Sequence, residues 1–425
     1  MTSFAGSASQ AGNFGLLRTS TFAKYTMFFF MTALLVLPGQ AVVFLSTACL
    51  LVWLAISRWY INKRMLWLML PLALLLALGG LYARQYPAFE IAKDIFYVGK
   101  TMVALGLGFV LASYLKDLRT LCRIVVAAAA ISSAGHIVEA VIGLASGMSV
   151  FDLRAEEIRG NYINIIGLAV LLYFWRFKRH LAVSRAYFYI ALSACTLSLI
   201  FSFSRTYILL FIGTMLVLKG WGRINLKNVF RIGIVLTLLF SFFIFTPSGE
   251  SIGRDKSLLG KFSNVASELA FKNYTEMRDI NQYWRGFESY RALVAFLGGG
   301  HLQKVFGQGL GATIDLGFYM NLGGSEMRYI PILHNGYMYV VVKFGLVGLL
   351  IVLYWFYRII KLGSVEINTS MNAQEVFFRR LIAAIGWSFL FSTFVIAGIF
   401  NGNMYPTLIL LGALFGWIGY RRSFQ

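Results

Sequence analysis

The stretch IPILHNGYMYVVVKFGLVGLL, Ile330 to Leu350, sets a histidine, an asparagine and a glycine directly before a run made for lipid. Pro331 and the trio His334-Asn335-Gly336 read as the end of a loop and the mouth of a helix. The residues beyond them are apolar over the length needed to cross a hydrocarbon core of about 30 Å. The rest of the chain has the same character. Of its 425 residues 59% are hydrophobic and 16% aromatic, with only 13% charged, which is the composition of an integral membrane protein.

Apolar segments fall near 25–37, 41–57, 65–82, 95–115, 124–148, 161–175, 186–202, 207–218, 232–247, 335–357, 381–400 and 405–420, predicting an all-α polytopic protein of about twelve membrane helices. Two breaks decide that count. Leu37-Pro38-Gly39-Gln40 divides one long apolar run, because proline removes a backbone donor and glycine accepts turn geometry. Ser202 to Thr206 divides another. The first 24 residues are small, polar and weakly basic, with no cleavage pattern after the apolar stretch that follows, so they are expected to form a short cytoplasmic tail.

With both ends cytoplasmic, inward-facing segments hold 22 of the 38 Lys and Arg against five in the short external loops, as the positive-inside rule requires. The net charge of +21 is therefore read as a topology signal facing anionic lipid, not as a nucleic-acid footprint. Cys49, Cys122 and Cys195 have no paired spacing, and no metal site is expected. The expected organisation is nine spans in residues 1–246, one large external loop over 247–333, and three spans in 334–425.

The loop carries nine Lys/Arg and eight Asp/Glu between Pro247 and Pro331, with patterns for two amphipathic helices near Lys256–Lys272 and Asp279–Leu297. On the second, Arg285 and Glu288 lie three apart and share a face, fit to pair or to contact a ligand together. Gly307, Gly309 and Gly311 form GxGxG without the strand–helix unit of a dinucleotide site; they suit a tight turn against a partner or a phosphate, or a plain connector.

Arg205, between two apolar runs, reads either as a snorkelling anchor or as an anion ligand. His334 reads either as a solvated cap residue or as a neutral imidazole able to take a proton. His136 and Glu139, three apart in the fifth span, fit an internal packing pair. Lys100 and Lys343 are expected to snorkel or to pair inside the bundle. The derived topology puts Arg205, Arg285, Arg291 and His334 on one side of the membrane, where guanidinium forks suit a pyrophosphate.

The segments SFSRTY (202–207), WRGFESYRALVAFLGGGHLQKVFGQGLGA (284–312) and HNGYMYVVVKFGLVGLL (334–350) resemble the O-antigen ligase/polymerase family of bacterial inner-membrane glycosyltransferases. The resemblance implies a GT-C-like enzyme with its active site facing the periplasm. Its donor would be an undecaprenyl-pyrophosphate-linked glycan and its acceptor a second glycan or lipid A–core, with no cofactor, nucleotide sugar or metal and with a chain-length regulator as a further partner. It assigns Arg205 and Arg285 to the donor pyrophosphate and His334 to the acceptor hydroxyl. Arg291, Glu288, Asn335, Gly309 and Gly311 are expected around the substrate. WRGFE, GQGLGA and HNGY lean towards a repeat-unit polymerase; a ligase is the first alternative and a lipid-linked oligosaccharide flippase the second. Against the flippase stand the lack of an internal repeat and the single one-sided loop.

Overall fold

The computed structural model describes residues 20–56, 63–115, 117–148, 161–175, 181, 183–202, 204–222, 274–322, 324–364 and 373–422. It is mostly helical. In chain order the helices are α1 (20–32), α2 (Gly39–Ile56), α3 (Lys63–Gly80), α4 (Ala88–Ser113), α5 (Leu118–Ala145), α6 (Asn161–Tyr173), α7 (Arg185–Phe201) and α8 (Arg205–Leu216). After the undescribed stretch come α9 (Met277–Gln282), α10 (Trp284–Gly298), α11 (His301–Phe306), strands β1 (Ile314–Leu322) and β2 (Ser325–Ile330), then α12 (Gly336–Gly363), α13 (Ala373–Ile396) and α14 (Tyr405–Arg422).

Six helices among the described residues are long and apolar enough to cross a membrane: α2, α3, α4, α5, α12 and α13. Three further apolar helices are shorter. They point to a membrane-embedded protein, and the apolar side chains left on the outside agree: Phe44, Leu51 and Val52 on α2, and Leu66, Leu70 and Leu74 on α3, are all exposed. Both expected breaks are present. After α1 the chain tightens into a short 3₁₀ turn, Ala33–Leu35, and restarts at Gly39. α7 ends at Phe201 and α8 begins at Arg205.

Local chemistry sets the other helix starts. Asp117 accepts from the Thr120 amide at 2.5 Å and Ser184 from the Tyr187 amide at 3.2 Å, each satisfying a donor that the first turn leaves open. The expected span at 232–247 and the expected amphipathic helix Lys256–Lys272 lie outside the described residues. The second amphipathic helix is found as α9 and α10, interrupted at Tyr283.

The all-α expectation needs one correction. β1 and β2 form an antiparallel hairpin, pairing Ile314 with Ile330 and Asn321 with Glu326. Gly317 and Gly324 take positive φ, and the register slips between Asp315 and Met320, so the strands lack the regular alternation by which a sequence announces a sheet.

The described residues fall into two compact units. One comprises Met1–Met69, Lys100–Tyr207 and Gly402–Gln425. There α5, α6 and α7 pack together, and α14 lies against the later part of α4 through Gly412 and Gly416, where an added Cβ would overlap the Leu105 and Phe109 carbonyls. Small residues that admit close backbone approach are the usual device for packing helices in lipid. The other unit comprises Leu70–Gly99 and Ile208–Asn401. It contains α9 to α13 and the hairpin, and its largest helix pair is α12 with α13.

Candidate functional site

α12 starts where the opening stretch places it. Asn335 is its N-cap, and its side-chain oxygen accepts from the Tyr337 and Met338 amides at 3.1 and 3.2 Å. That is a structural task, so the Asn335 oxygen expected at the substrate is committed to the helix end. Gly336 follows because an added Cβ there would meet Thr393 and the Ala397 carbonyl.

The cap fixes the direction of the preceding residue. His334 sits just outside the helix with its side chain 53% exposed, while Glu288 on α10 is only 2% exposed. Glu288 accepts from His334 twice, from the backbone amide at 2.9 Å through Oε1 and from Nδ1 at 2.8 Å through Oε2. A carboxylate oxygen offers no proton, so Nδ1 carries the hydrogen, and in the neutral imidazole the lone pair is then on Nε2. The backbone contact holds the residue and the ring contact sets its tautomer. The result is an oriented, half-exposed imidazole backed by a buried carboxylate, the arrangement that general-base chemistry needs.

The i, i+3 spacing had placed Glu288 with Arg285. In the structure both of its oxygens turn to a residue 46 positions later in the chain, a pairing that helix periodicity cannot reveal. Arg285 is half-buried in the first turn of α10. Arg291, on the same helix, donates from Nε to the Asp315 carbonyl at 2.8 Å, so it ties α10 to β1. Arg205 is 8% exposed and opens α8; it belongs to the other unit from Arg285, Arg291 and His334.

The GxGxG segment has a definite task. α12 is broken at Gly345, whose φ of 67° and ψ of −168° suit only glycine. The break frees carbonyls one turn earlier. Val342 accepts from the Gln308 amide at 2.8 Å, and Lys343 from the Gly309 amide at 3.0 Å. The Leu310 amide donates to the Gly79 carbonyl at 2.8 Å, and the Gly311 amide to Asp94 at 2.6 Å. Gly307, Gly309 and Gly311 all have positive φ. The partner of this turn is thus the chain's own helices. The amides of Gly309 and Gly311, expected near substrate, are directed at protein acceptors.

Sequence reading missed Asp94. Its Oδ2 accepts from Lys343 Nζ at 2.5 Å as well as from Gly311, and its Oδ1 accepts from the Tyr339 hydroxyl at 3.1 Å. Asp94 is fully buried and Lys343 is 2% exposed. Lys343 therefore pairs inside the protein, one of the two fates expected for it. The available signal was Lys343, alone within the apolar run that opens α12, which in a membrane calls for an acidic partner; Asp94 falls just before the expected span at 95–115, beside Lys93 and near Glu90.

At the hairpin, Arg328 forks onto Asp315 with contacts of 2.8 and 3.0 Å. The hydrogen bond from Arg328 is the main cause that pushes the Asp315 carboxyl down to about 2. His136 and Glu139 do not share an internal face. His136 is fully buried with Nδ1 2.8 Å from the Ser198 hydroxyl, whereas Glu139 is exposed. No group of three or more His, Cys, Asp or Glu able to hold a metal occurs among the described residues.

No protein-family model matches the chain, and no curated protein sequence matches it significantly.

Proposed function

We propose that the protein is a bacterial inner-membrane glycosyltransferase of GT-C-like, twelve-span architecture with cytoplasmic termini. It transfers an undecaprenyl-pyrophosphate-linked glycan to an acceptor hydroxyl on the periplasmic side, most simply as a repeat-unit polymerase. The observation that supports this reading is the Glu288–His334 pair: a buried carboxylate orients an exposed imidazole at the mouth of an apolar helix. That is where a sugar hydroxyl arriving from water would meet a donor anchored in lipid.

In the reaction the acceptor oxygen attacks the anomeric carbon, and the bond from that carbon to the pyrophosphate oxygen breaks. The electron pair leaves with undecaprenyl pyrophosphate, and the hydroxyl proton passes to His334 Nε2. Glu288 steadies the imidazolium that results. Arg285 is assigned to the leaving pyrophosphate, whose growing charge its fork-shaped donors stabilise. Arg205 carries the same assignment from its sequence context.

The test is to incubate purified protein in nanodiscs with an undecaprenyl-pyrophosphate-linked repeat unit, with and without lipid A–core, and to size the products. Longer lipid-linked chains without lipid A–core are the expected result. Glycan moved only onto lipid A–core makes the protein a ligase. Neither product, with donor and acceptor from the native organism, contradicts the enzyme reading and favours transport of the lipid-linked glycan.

A further inference from the structure

The two halves of the Glu288–His334 pair sit on different elements, α10 and the mouth of α12, and something must hold those elements in register. We infer that Asp94 is the positioning residue that does so. It grips α12 directly, through Lys343 and Tyr339. It grips the loop after α11 through the Gly311 amide at 2.6 Å. That loop reaches α10 in turn, because Gln308 donates from Nε2 to the Ala295 carbonyl at 2.9 Å, two turns along the helix from Glu288.

The loop has little freedom to sit elsewhere. Gln308 and Gly309 donate into the α12 break, and an added Cβ at Gly311 would lie 2.6 Å from the Tyr86 Cβ. One carboxylate thus closes a circuit that runs from α12 through the loop to α10 and back through Glu288 to His334. Neither an isolated ion pair nor a simple helix contact needs the Gly311 amide; the circuit does.

This inference rests on the proposed transfer reaction only for its kinetic readout. The other readout is the rate at which diethylpyrocarbonate acylates His334, followed by peptide mass spectrometry, which needs no substrate. Three variants separate the roles in full-length protein in nanodiscs. Asp94→Asn/Lys343→Met removes both charges but keeps an acceptor for Gly311. Asp94→Leu/Lys343→Met removes the acceptor as well, leaving an apolar pair of similar volume. Glu288→Ala is the reference for an imidazole that has lost its carboxylate.

The expected result is that the Asn/Met variant keeps His334 acylation and kcat within about twofold of wild type. The Leu/Met variant, folded but with a lowered melting temperature because the Gly311 and Tyr339 donors lose their acceptor, drops His334 acylation several-fold to the Glu288→Ala rate and lowers kcat at least tenfold with KM little changed. Wild-type acylation of His334 in a folded Leu/Met variant overturns the inference. If that variant does not fold, Gln308→Ala carries the test, since it cuts only the tether to Ala295. A fall in His334 acylation then supports the circuit, and a wild-type rate overturns it. If wild type transfers no glycan, the proposed function fails while the acylation comparison still decides the role of Asp94.

Discussion

Two of the acid–base pairs in the unit around α12 differ in one physical respect. Asp94 and Lys343 are closed off on every side, with the carboxylate satisfied by Lys343, Tyr339 and Gly311. Glu288 and His334 form a pair that is closed at one end only: the carboxylate is buried and the imidazole is 53% exposed. A pair sealed at both ends has no face left for a substrate, and its worth is in the elements it joins. A pair sealed at one end hands its orientation to a group that still meets the outside, which is how a buried acid serves a working base.

The largest consequence of that difference concerns activity. His334→Ala is expected to slow glycan transfer by about 10²–10⁴-fold, the usual contribution of a positioned general base, with expression unchanged. Glu288→Gln, which keeps the shape and alters the charge, is expected to cost less. Steady-state transfer rates in nanodiscs check both. Equal losses in the two variants would mean that the pair acts as a unit rather than as base and support.

The sealed pair should show its effect in stability. Lys343→Met leaves the Asp94 carboxylate buried without its cation, which costs about 3–5 kcal/mol. Replacing both partners by apolar residues is expected to cost less than that single change, because no uncompensated charge remains and only the Gly311 and Tyr339 donors lose their acceptor. Thermal unfolding of the single and double variants measures this, and a mild single variant would show that water reaches the pair.

Smaller losses are expected from Arg285→Lys and Arg205→Lys, about tenfold in transfer rate, because a point charge cannot reproduce a fork-shaped contact with pyrophosphate. Wild-type rates in both would make these residues anchors.

The smallest effect belongs to the hairpin. The Asp315 carboxyl is held at about 2 in the folded protein against about 3.9 when unfolded. Its contribution is therefore present above about pH 4 and lost as the pH falls towards about 2. Hydrogen-exchange protection in β1 and β2, corrected for the intrinsic pH dependence of amide exchange, should be steady down to about pH 4 and fall below it, and Asp315→Asn should flatten that fall.

How much of this was legible in the sequence follows from which interactions are local. The helix breaks at Pro38 and at Ser202–Thr206 were readable because backbone chemistry acts within a few residues. His334 and Glu288 stood out singly, one at a helix mouth and one on an amphipathic helix, but their pairing spans 46 residues and depends on how α10 meets α12. Asp94 was passed over for the same reason: its partners lie at 311, 339 and 343. Gly345 looked like any membrane glycine. Only the structure shows that it opens the helix to receive the Gly307–Gly311 turn, which settles that turn as a packing element.

The most direct measurement is the single-turnover rate of glycan transfer from undecaprenyl pyrophosphate by wild-type protein and by His334→Ala, in the same nanodiscs and with matched folding. A wild-type rate that collapses by at least a hundredfold in His334→Ala is the result expected of a Glu288-held base. Equal rates in the two proteins would contradict it and remove the pair from the chemistry.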